Sequence, residues 1–336
     1  MNSNIFIVHT EYHLMISINL IISRYNDAIN NIYITDGHRI RNNLQFVGLN
    51  ANIHRIAKKD YGTSKFLKEL LYKNPTNFFF FQQVSSDNMF LAYEMHHHGV
   101  NVVLMQDGLR AYELWNRKNI WVHILLDTIT FHWEMIKRKT FIPYFRMNNL
   151  SNYGGWTFVD ELGLTIPDHF VNQSNKRIRK IPDFSKNVLK ILGEIFHVND
   201  YSIDPQAIMI IGQPKLQEYW DREVEILKAI VDKFPNRNIY FKPHPNTKEG
   251  QLNLIKTIRG IQIVNYPIPV ELFIMQMKNT CIISSHSTAL LTNNSSCKFY
   301  WIYKMYGNGG RLFSQVKIVN PTSHIKEIES LDEIEY

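Results

Sequence analysis

Two short stretches bring together residue types that could act on an anionic leaving group. The first is Tyr240-Phe-Lys-Pro-His-Pro245, where an apolar run ends in a lysine, a histidine and two prolines. A buried parallel strand looks like this when its carboxyl end opens into a binding crevice. Pro243 and Pro245 fix their own φ and keep the preceding residues, Lys242 and His244, out of helical conformation. The imidazole is thereby held on a stiff, extended turn where it can be aimed. The second stretch is Ser284-Ser-His-Ser-Thr-Ala-Leu-Leu291. An apolar strand delivers hydroxyls into what reads as a helix start over Ser287 to Thr292, where unpaired N–H groups and the helix dipole attract an anion. Capping alone accounts for one hydroxyl, that of Ser285 or Ser287. Four hydroxyls around one histidine exceed that need. Ser284, Ser285, Ser287 and Thr288, with Lys242, His244 and Pro245, therefore form a candidate phosphate clamp.

The surrounding elements must position these groups. Ala207 to Ile211 reads as a strand running into Gly212-Gln213-Pro214, and Glu218 to Phe234 as an amphipathic helix with Trp220, Leu227, Ile230 and Phe234 on one face. Strands follow at 238–241, 261–264, 280–283 and 298–303, with helices near 252–258 and 269–277. The amino-terminal half alternates in the same way. Strands are expected at Ile5–Val8, Asn31–Thr35, Ile53–Ile56, Asn77–Phe81 and Asn101–Met105, and helices at Leu14–Ser23, Lys65–Tyr72 and Ser86–His98, the last ended by Gly99. The loop His9-Thr-Glu-Tyr-His13 falls on the ligand-binding edge of this half. Between about 109 and 204 the rhythm is lost. Trp115 to Arg138 reads as helical, Asn148–Ser151 and Gly154-Gly155 as turns, and Trp156–Val159 as a weak strand. Lys176-Arg-Ile-Arg-Lys180 is a basic cluster, ordinarily a solvated face. The expected layout is an α/β protein with two doubly wound, Rossmann-like domains, 1–150 and 206–336, and a linker region within 151–205.

The 336 residues fit two domains, and a 45% hydrophobic content supplies their cores. A formal charge of +7, from 37 basic and 30 acidic residues, suits an acidic substrate, a phosphate-bearing donor or an anionic membrane surface. No basic block with interleaved aromatics points to nucleic acid. Cys281 and Cys297 sit in apolar runs and read as reduced core residues of a cytoplasmic protein. Neither a signal peptide nor a membrane-spanning run stands out, so a soluble protein, at most peripheral to an inner membrane, is expected. His96-His-His98 is not a metal site on this reading, because three consecutive histidines at a helix end point in different directions. Asn308-Gly-Gly-Arg311 reads as a turn that could close on a ligand.

Lys242-Pro-His-Pro245 followed by Ser284-Ser-His-Ser287 resembles the His-Pro and Ser-Ser motifs of bacterial sialyltransferases, above all family 52, the lipooligosaccharide sialyltransferases, with the polysialyltransferases as relatives. Gly212-Gln213-Pro214 and the opening strand followed by Thr10-Glu11-Tyr12 add to the likeness, which covers most of the second half and is thinner over the first. The resemblance implies a GT-B fold with the two domains facing a central cleft: an acceptor-side amino-terminal domain and a nucleotide-sugar-binding carboxyl-terminal domain containing Gly212 and Gln213. It implies inverting transfer of sialic acid from CMP-sialic acid to a glycolipid, capsular or lipooligosaccharide acceptor, without a metal or other cofactor. His244 would be a general acid or an electrostatic clamp on the departing CMP phosphate, which Ser284, Ser285 and Ser287 would hold. Tyr303 and Tyr306 could stack on the cytosine. A homodimer stays open.

Deprotonating the acceptor hydroxyl needs a base. Gln106-Asp107-Gly108 resembles the acidic-Asp-Gly motif of several bacterial sialyltransferases but has Gln106 at the first position, where a carboxylate is expected. Asp107 is the nearest substitute; the alternative is that it only makes an Asp-Gly turn. Asp221 is the other candidate, against the reading of a solvated helix residue. Other donors, UDP- or GDP-linked, a sugar-nucleotide epimerase, and a non-catalytic nucleotide- or sugar-binding member of the fold are the competing readings.

Overall fold

The computed structural model describes residues 2–35, 40–82, 85–112, 114–115, 125, 128–129, 132–133, 135–136, 157–169, 176–213, 219–307, 316–317 and 320–335. Pro214, the glycine turns at 148–155 and the 308–311 loop lie outside them, as does most of the 115–138 segment. The chain divides into two compact units, Met1–Phe196 and His197–Tyr336.

In the first unit the strands are β1 (Ser3–Val8), β2 (Ile29–Thr35), β3 (Asn52–Ile56), β4 (Asn77–Phe80), β5 (Asn101–Met105), the two-residue β6 (Leu114–Trp115), β7 (Glu161–Leu164) and β8 (Arg177–Lys180). The helices are α1 (Glu11–Arg24), α2 (Ser64–Tyr72), α3 (Ser86–His97) and α4 (Lys186–Phe196). Seven strands form one parallel sheet in the order β3-β2-β1-β4-β5-β7-β8. Strands buried on both faces read as continuous apolar runs, and β1 is buried along its whole length.

The span 151–205, expected to hold a linker, carries β7, β8 and α4, all within the first unit. The anticipated strand at Trp156–Val159 is replaced by a turn at Thr157 and Phe158, with β7 following. The basic cluster was hard to place because β8 is an edge strand. Arg177 and Arg179, two residues apart and so on one face, both reach the buried Glu161.

The amino ends of these strands are tied by a side-chain ladder. Asn4 donates to Asn30 (2.9 Å), Asn77 to Asn4 (2.9 Å) and Asn101 to Asn77 (2.9 Å). Asn101 also donates to Glu161 at 3.1 Å, which the two arginines of β8 then meet. Each pair lies at direct register or one same-face step from it, so the ladder fixes the alignment of six strands.

The second unit repeats the plan with β9 (Ile208–Ile211), β10 (Ile239–Lys242), β11 (Ile261–Ile263), β12 (Cys281–Ser284), β13 (Lys298–Trp301), the two-residue β14 (Val316–Lys317) and β15 (Ile325–Glu327). Its helices are α5 (Trp220–Lys233), α6 (Glu249–Lys256) and α7 (Val270–Gln276). The sheet is parallel in the order β11-β10-β9-β12-β13-β15. Trp220, Leu227 and Ile230 of α5 are buried against Ile210, Phe241 and Ile283 of the sheet, as the helical spacing requires. Both sheets reverse strand order beside their first strand, at β1/β4 and at β9/β12. Such a switch point opens a crevice at the carboxyl ends of the strands.

One expected element is shorter than its sequence implies. Ser287 begins no α-helix; Thr288–Leu291 is a single 3-10 turn. Of the cysteines, Cys281 is buried in β12, whereas Cys297 lies before β13 and is only partly buried, so it is no core residue. His96, His97 and His98 turn to three different partners, the Asp160 carboxylate and the Tyr93 and Glu94 carbonyls.

Candidate active site

In the second unit the two sequence motifs meet at the switch point. Lys242, Ile211 and Ser284 are aligned in register on adjacent strands β10, β9 and β12. The loops that follow therefore leave the sheet side by side. Gly212 sits between them. Its N–H donates to the Lys242 carbonyl at 2.9 Å. A Cβ there would stand 2.8 Å from Phe241 Cζ, 3.2 Å from the Lys242 carbonyl oxygen and 3.3 Å from the His244 nitrogen. Only glycine lets the turn that carries His244 come this close. Gln213, next in the chain, is half-buried.

The His244 turn is closed by the Thr247 N–H, which donates to the His244 carbonyl at 2.8 Å. The Asn246 N–H donates to His244 Nδ1 at 3.1 Å. A neutral imidazole that accepts at Nδ1 carries its proton on Nε2, so this ring is set as a donor through Nε2. Lys242 directs its Nζ to the Tyr266 carbonyl at 2.7 Å and holds the loop after β11. Pro245 is exposed.

Ser287 takes the capping role that the sequence offered it, and Ser284 takes one that the sequence did not assign. Ser284 Oγ donates to the Ile211 carbonyl at 2.8 Å and accepts the Ser287 N–H at 3.2 Å, tying the end of β9 to the turn after β12. Ser287 Oγ accepts the Ala289 N–H at 3.2 Å, and its carbonyl accepts the Trp301 indole N–H at 3.2 Å. Ser285 Oγ lies 3.2 Å from His286 Nδ1, and Thr288, half-buried, opens the 3-10 turn. Ser284 and Ser287 thus shape the loop by hydrogen bonding to backbone, and the hydroxyl count had allowed for only one of them.

A residue missed in the sequence, Glu271, stands on the first turn of α7. Desolvation pushes its carboxyl up to about 6, while the charge of Lys242 works in the opposite direction. Asp221 is exposed in the first turn of α5, where an acid complements the helix dipole.

In the first unit the carboxyl edge carries a connected polar cluster. His9, just past β1, places Nδ1 2.8 Å from Thr35 Oγ1 and Nε2 3.4 Å from Asn88 Oδ1. Thr10 caps α1 by accepting the His13 N–H at 3.2 Å, which sets His13 on the inner face of the first turn. His13 Nε2 is 3.2 Å from Asp107 Oδ1. Gly108, at φ +73°, lets the chain turn away immediately after Asp107 and leaves that carboxylate at the strand end.

Gln106 points the other way and is buried. Its Oε1 accepts from Tyr112 Oη, Thr165 N and Thr165 Oγ1, each at 2.8 Å. The amide at the first motif position is a structural joint between the ends of β5 and β7. His13 was legible only as part of a loop on the ligand-binding edge; nothing in the sequence paired it with a residue 94 positions later.

With that geometry in hand, the chain can be compared with known proteins. Its fold is similar to that of a sialyltransferase from Photobacterium damselae, described as its GT-B domain, with 13% identity, 90% of this chain and 91% of that chain covered, and a TM-score of 0.52. It is also similar to a 2,6-sialyltransferase from Photobacterium sp. JT-ISH-224 solved with CMP and lactose, with 12% identity, 93% and 73% coverage, and a TM-score of 0.54. A UDP-GlcNAc 2-epimerase from Methanocaldococcus jannaschii matches at 13% identity, 98% and 89% coverage, and a TM-score of 0.51. At such identities the likeness is one of fold, and the fold is GT-B. No match was found among curated protein sequences. The family model for alpha-2,8-polysialyltransferase matches residues 1–300, a span that takes in both strand-end motifs and the His13–Asp107 pair. The chain belongs to the alpha-2,8-polysialyltransferase family and is a glycosyltransferase.

Proposed function

We propose that the protein transfers sialic acid, with inversion, from CMP-sialic acid to a hydroxyl of a glycan acceptor, a sialylated chain or glycolipid. The observation that carries this reading is the family match over residues 1–300. The site chemistry supports it. The leaving group is a phosphate monoester that gains charge as the glycosidic bond breaks. A histidine set to donate through Nε2 stabilises that charge more in the transition state than in the ground state. His244, on its stiff turn beside Gly212, is assigned this role in the donor-binding second unit. Backbone N–H groups of the loop shaped by Ser284 and Ser287, with Ser285 and Thr288, are assigned to the phosphate.

Asp107, in the acceptor-side first unit, is assigned as the base. Asp221 has a sufficient structural role at the start of α5. Charge neutralisation by His244 and N–H groups supports a metal-independent reaction, in which a chelator leaves the rate unchanged. A cytoplasmic location is supported by two free cysteines, one of them buried. Among the described residues no helix is long and apolar enough to cross a membrane. Leu125, Ile129, Trp133 and Ile136 are exposed at helical spacing and support peripheral contact with a membrane surface.

The test is a thermal-shift series with CMP, UDP and GDP, followed by turnover of CMP-sialic acid with a short oligosialic acid primer. Stabilisation by CMP and extension of the primer are expected. Stabilisation by UDP alone, or consumption of a UDP-sugar without any acceptor, would sink the proposal in favour of another donor or an epimerase.

A further inference from the structure

We propose that His13 is the positioning residue for Asp107, an inference that rests on the base assignment made above. A histidine–aspartate pair can divide its work in two ways, with either partner meeting the substrate, and the geometry here distinguishes them. The His13 side chain is 1% exposed and that of Asp107 29% exposed. The imidazole is stacked on Phe81, with ring centroids 4.2 Å apart and planes 6° from parallel. Its Nδ1 accepts the His9 backbone N–H at 3.3 Å. In a neutral ring the proton is then on Nε2, the nitrogen 3.2 Å from Asp107 Oδ1.

Both ring nitrogens are therefore engaged inside the protein, and His13 is the inner member of the pair. Its backbone is fixed as well, by the Thr10 cap and by Ser17 Oγ, which donates to the His13 carbonyl at 2.8 Å. Asp107 is the outer member, followed directly by a glycine in the left-handed region that turns the chain away. The His13 N–H selects one carboxylate orientation. In the transfer step the acceptor oxygen bonds to the anomeric carbon as the carbon–oxygen bond to phosphate breaks. The hydroxyl proton passes to the Asp107 carboxylate, and the bonding pair leaves with CMP. His13 neither gains nor loses a proton in this step.

The experiment uses the full chain, CMP-sialic acid and a short oligosialic acid primer, with kcat, KM and thermal melting measured for each variant. His13→Phe keeps the ring and removes the N–H; His13→Gln supplies an amide N–H near the place of Nε2. A misplaced reacting group costs up to roughly 100-fold. His13→Phe should accordingly lose kcat by about 10- to 100-fold, with KM for CMP-sialic acid unchanged, and His13→Gln should recover most of the loss. Equal kcat for Phe and Gln variants, or a wild-type kcat in the folded Phe variant, overturns the proposal. If His13→Phe does not fold, His13→Asn replaces it, because its amide reaches only as far as Nδ1. A lower kcat for Asn than for Gln then supports the proposal, and equality overturns it. Asp107→Asn separates this inference from its premise. An impaired Asp107→Asn with a normal His13→Phe removes the positioning role alone, whereas a fully active Asp107→Asn removes both. Nitrogen-15 shifts of the His13 ring give a readout without turnover: a proton on Nε2 is expected, and one on Nδ1 overturns the pairing.

Discussion

The two sheets share one strand order, yet their carboxyl edges are furnished in opposite ways. The edge of the first unit is filled by ionisable and polar side chains already paired, His9 with Asn88 and His13 with Asp107, and the His9 backbone N–H joins the two pairs by donating to His13. The edge of the second is made mainly of backbone, brought close by Gly212 and shaped by Ser284, with His244 on a proline-stiffened turn. A base needs its basicity and direction set by neighbours, so its surroundings are side chains. A leaving phosphate needs donors at fixed distances, which backbone supplies without rotamer freedom. On the proposed assignment, the same topology serves two chemical demands through what stands on its loops.

The largest expected effects test this division directly. Asp107→Asn should lower kcat for transfer by roughly 100- to 10,000-fold, the usual worth of a general base, and leave CMP affinity as it is. His244→Ala should cost roughly 100- to 1,000-fold in kcat and also weaken CMP binding, measured by calorimetry. A loss of CMP affinity in the Asp107 variant and not in the His244 variant would reverse the assignment of the two edges.

A smaller effect is expected where backbone makes the site. Gly212→Ala places a methyl 2.8 Å from Phe241 Cζ in a packed core, and should destabilise the fold by about 1–3 kcal/mol in urea unfolding. Glu271 gives a pH-dependent counterpart. Its folded-state value is raised from 4.5 to about 6, so the folded protein binds the proton more tightly than the unfolded chain does. Stability is therefore lost as pH rises through that window, and the loss is complete above it. Glu271→Gln should match the parent near pH 4 and be more stable by up to about 2 kcal/mol at pH 7.5, at about 1.4 kcal/mol for each tenfold change in proton affinity. The smallest difference concerns the thiols. Burial pushes Cys281 up to about 12, so a thiol reagent should label Cys297 and spare Cys281 until unfolding, as read by mass spectrometry.

Much of this was legible before any coordinates. Strands such as Asn101–Met105 and the run into Lys242 are buried on both faces and announce themselves as apolar blocks. The pairing of Lys242-Pro-His244 with the serine motif was also readable, because each motif ends a strand and parallel strands end together. β8 was missed for a reason specific to it: its alternating arginines answer a buried Glu161, and an edge strand carries no apolar signature. Ser287 was readable as a cap, and it caps the 3-10 turn; Ser284 read as a ligand hydroxyl, since sequence does not show which carbonyl a hydroxyl will meet. His13 illustrates the same limit from the other side. It follows β1 and its partner follows β5, two strands away in the sheet, so the pair is found only once the strand order is known.

The asparagine ladder at the opposite end of the first sheet has a consequence for how that unit comes apart. Each inner asparagine holds a neighbour on both sides, so releasing one strand exposes polar groups on the strands flanking it. Peeling from an edge is penalised at every rung, and β2, β1, β4, β5 and β7 should open together. Native-state hydrogen exchange would then show a single cooperative block across these strands, with the His13–Asp107 pair at their other ends sharing its protection.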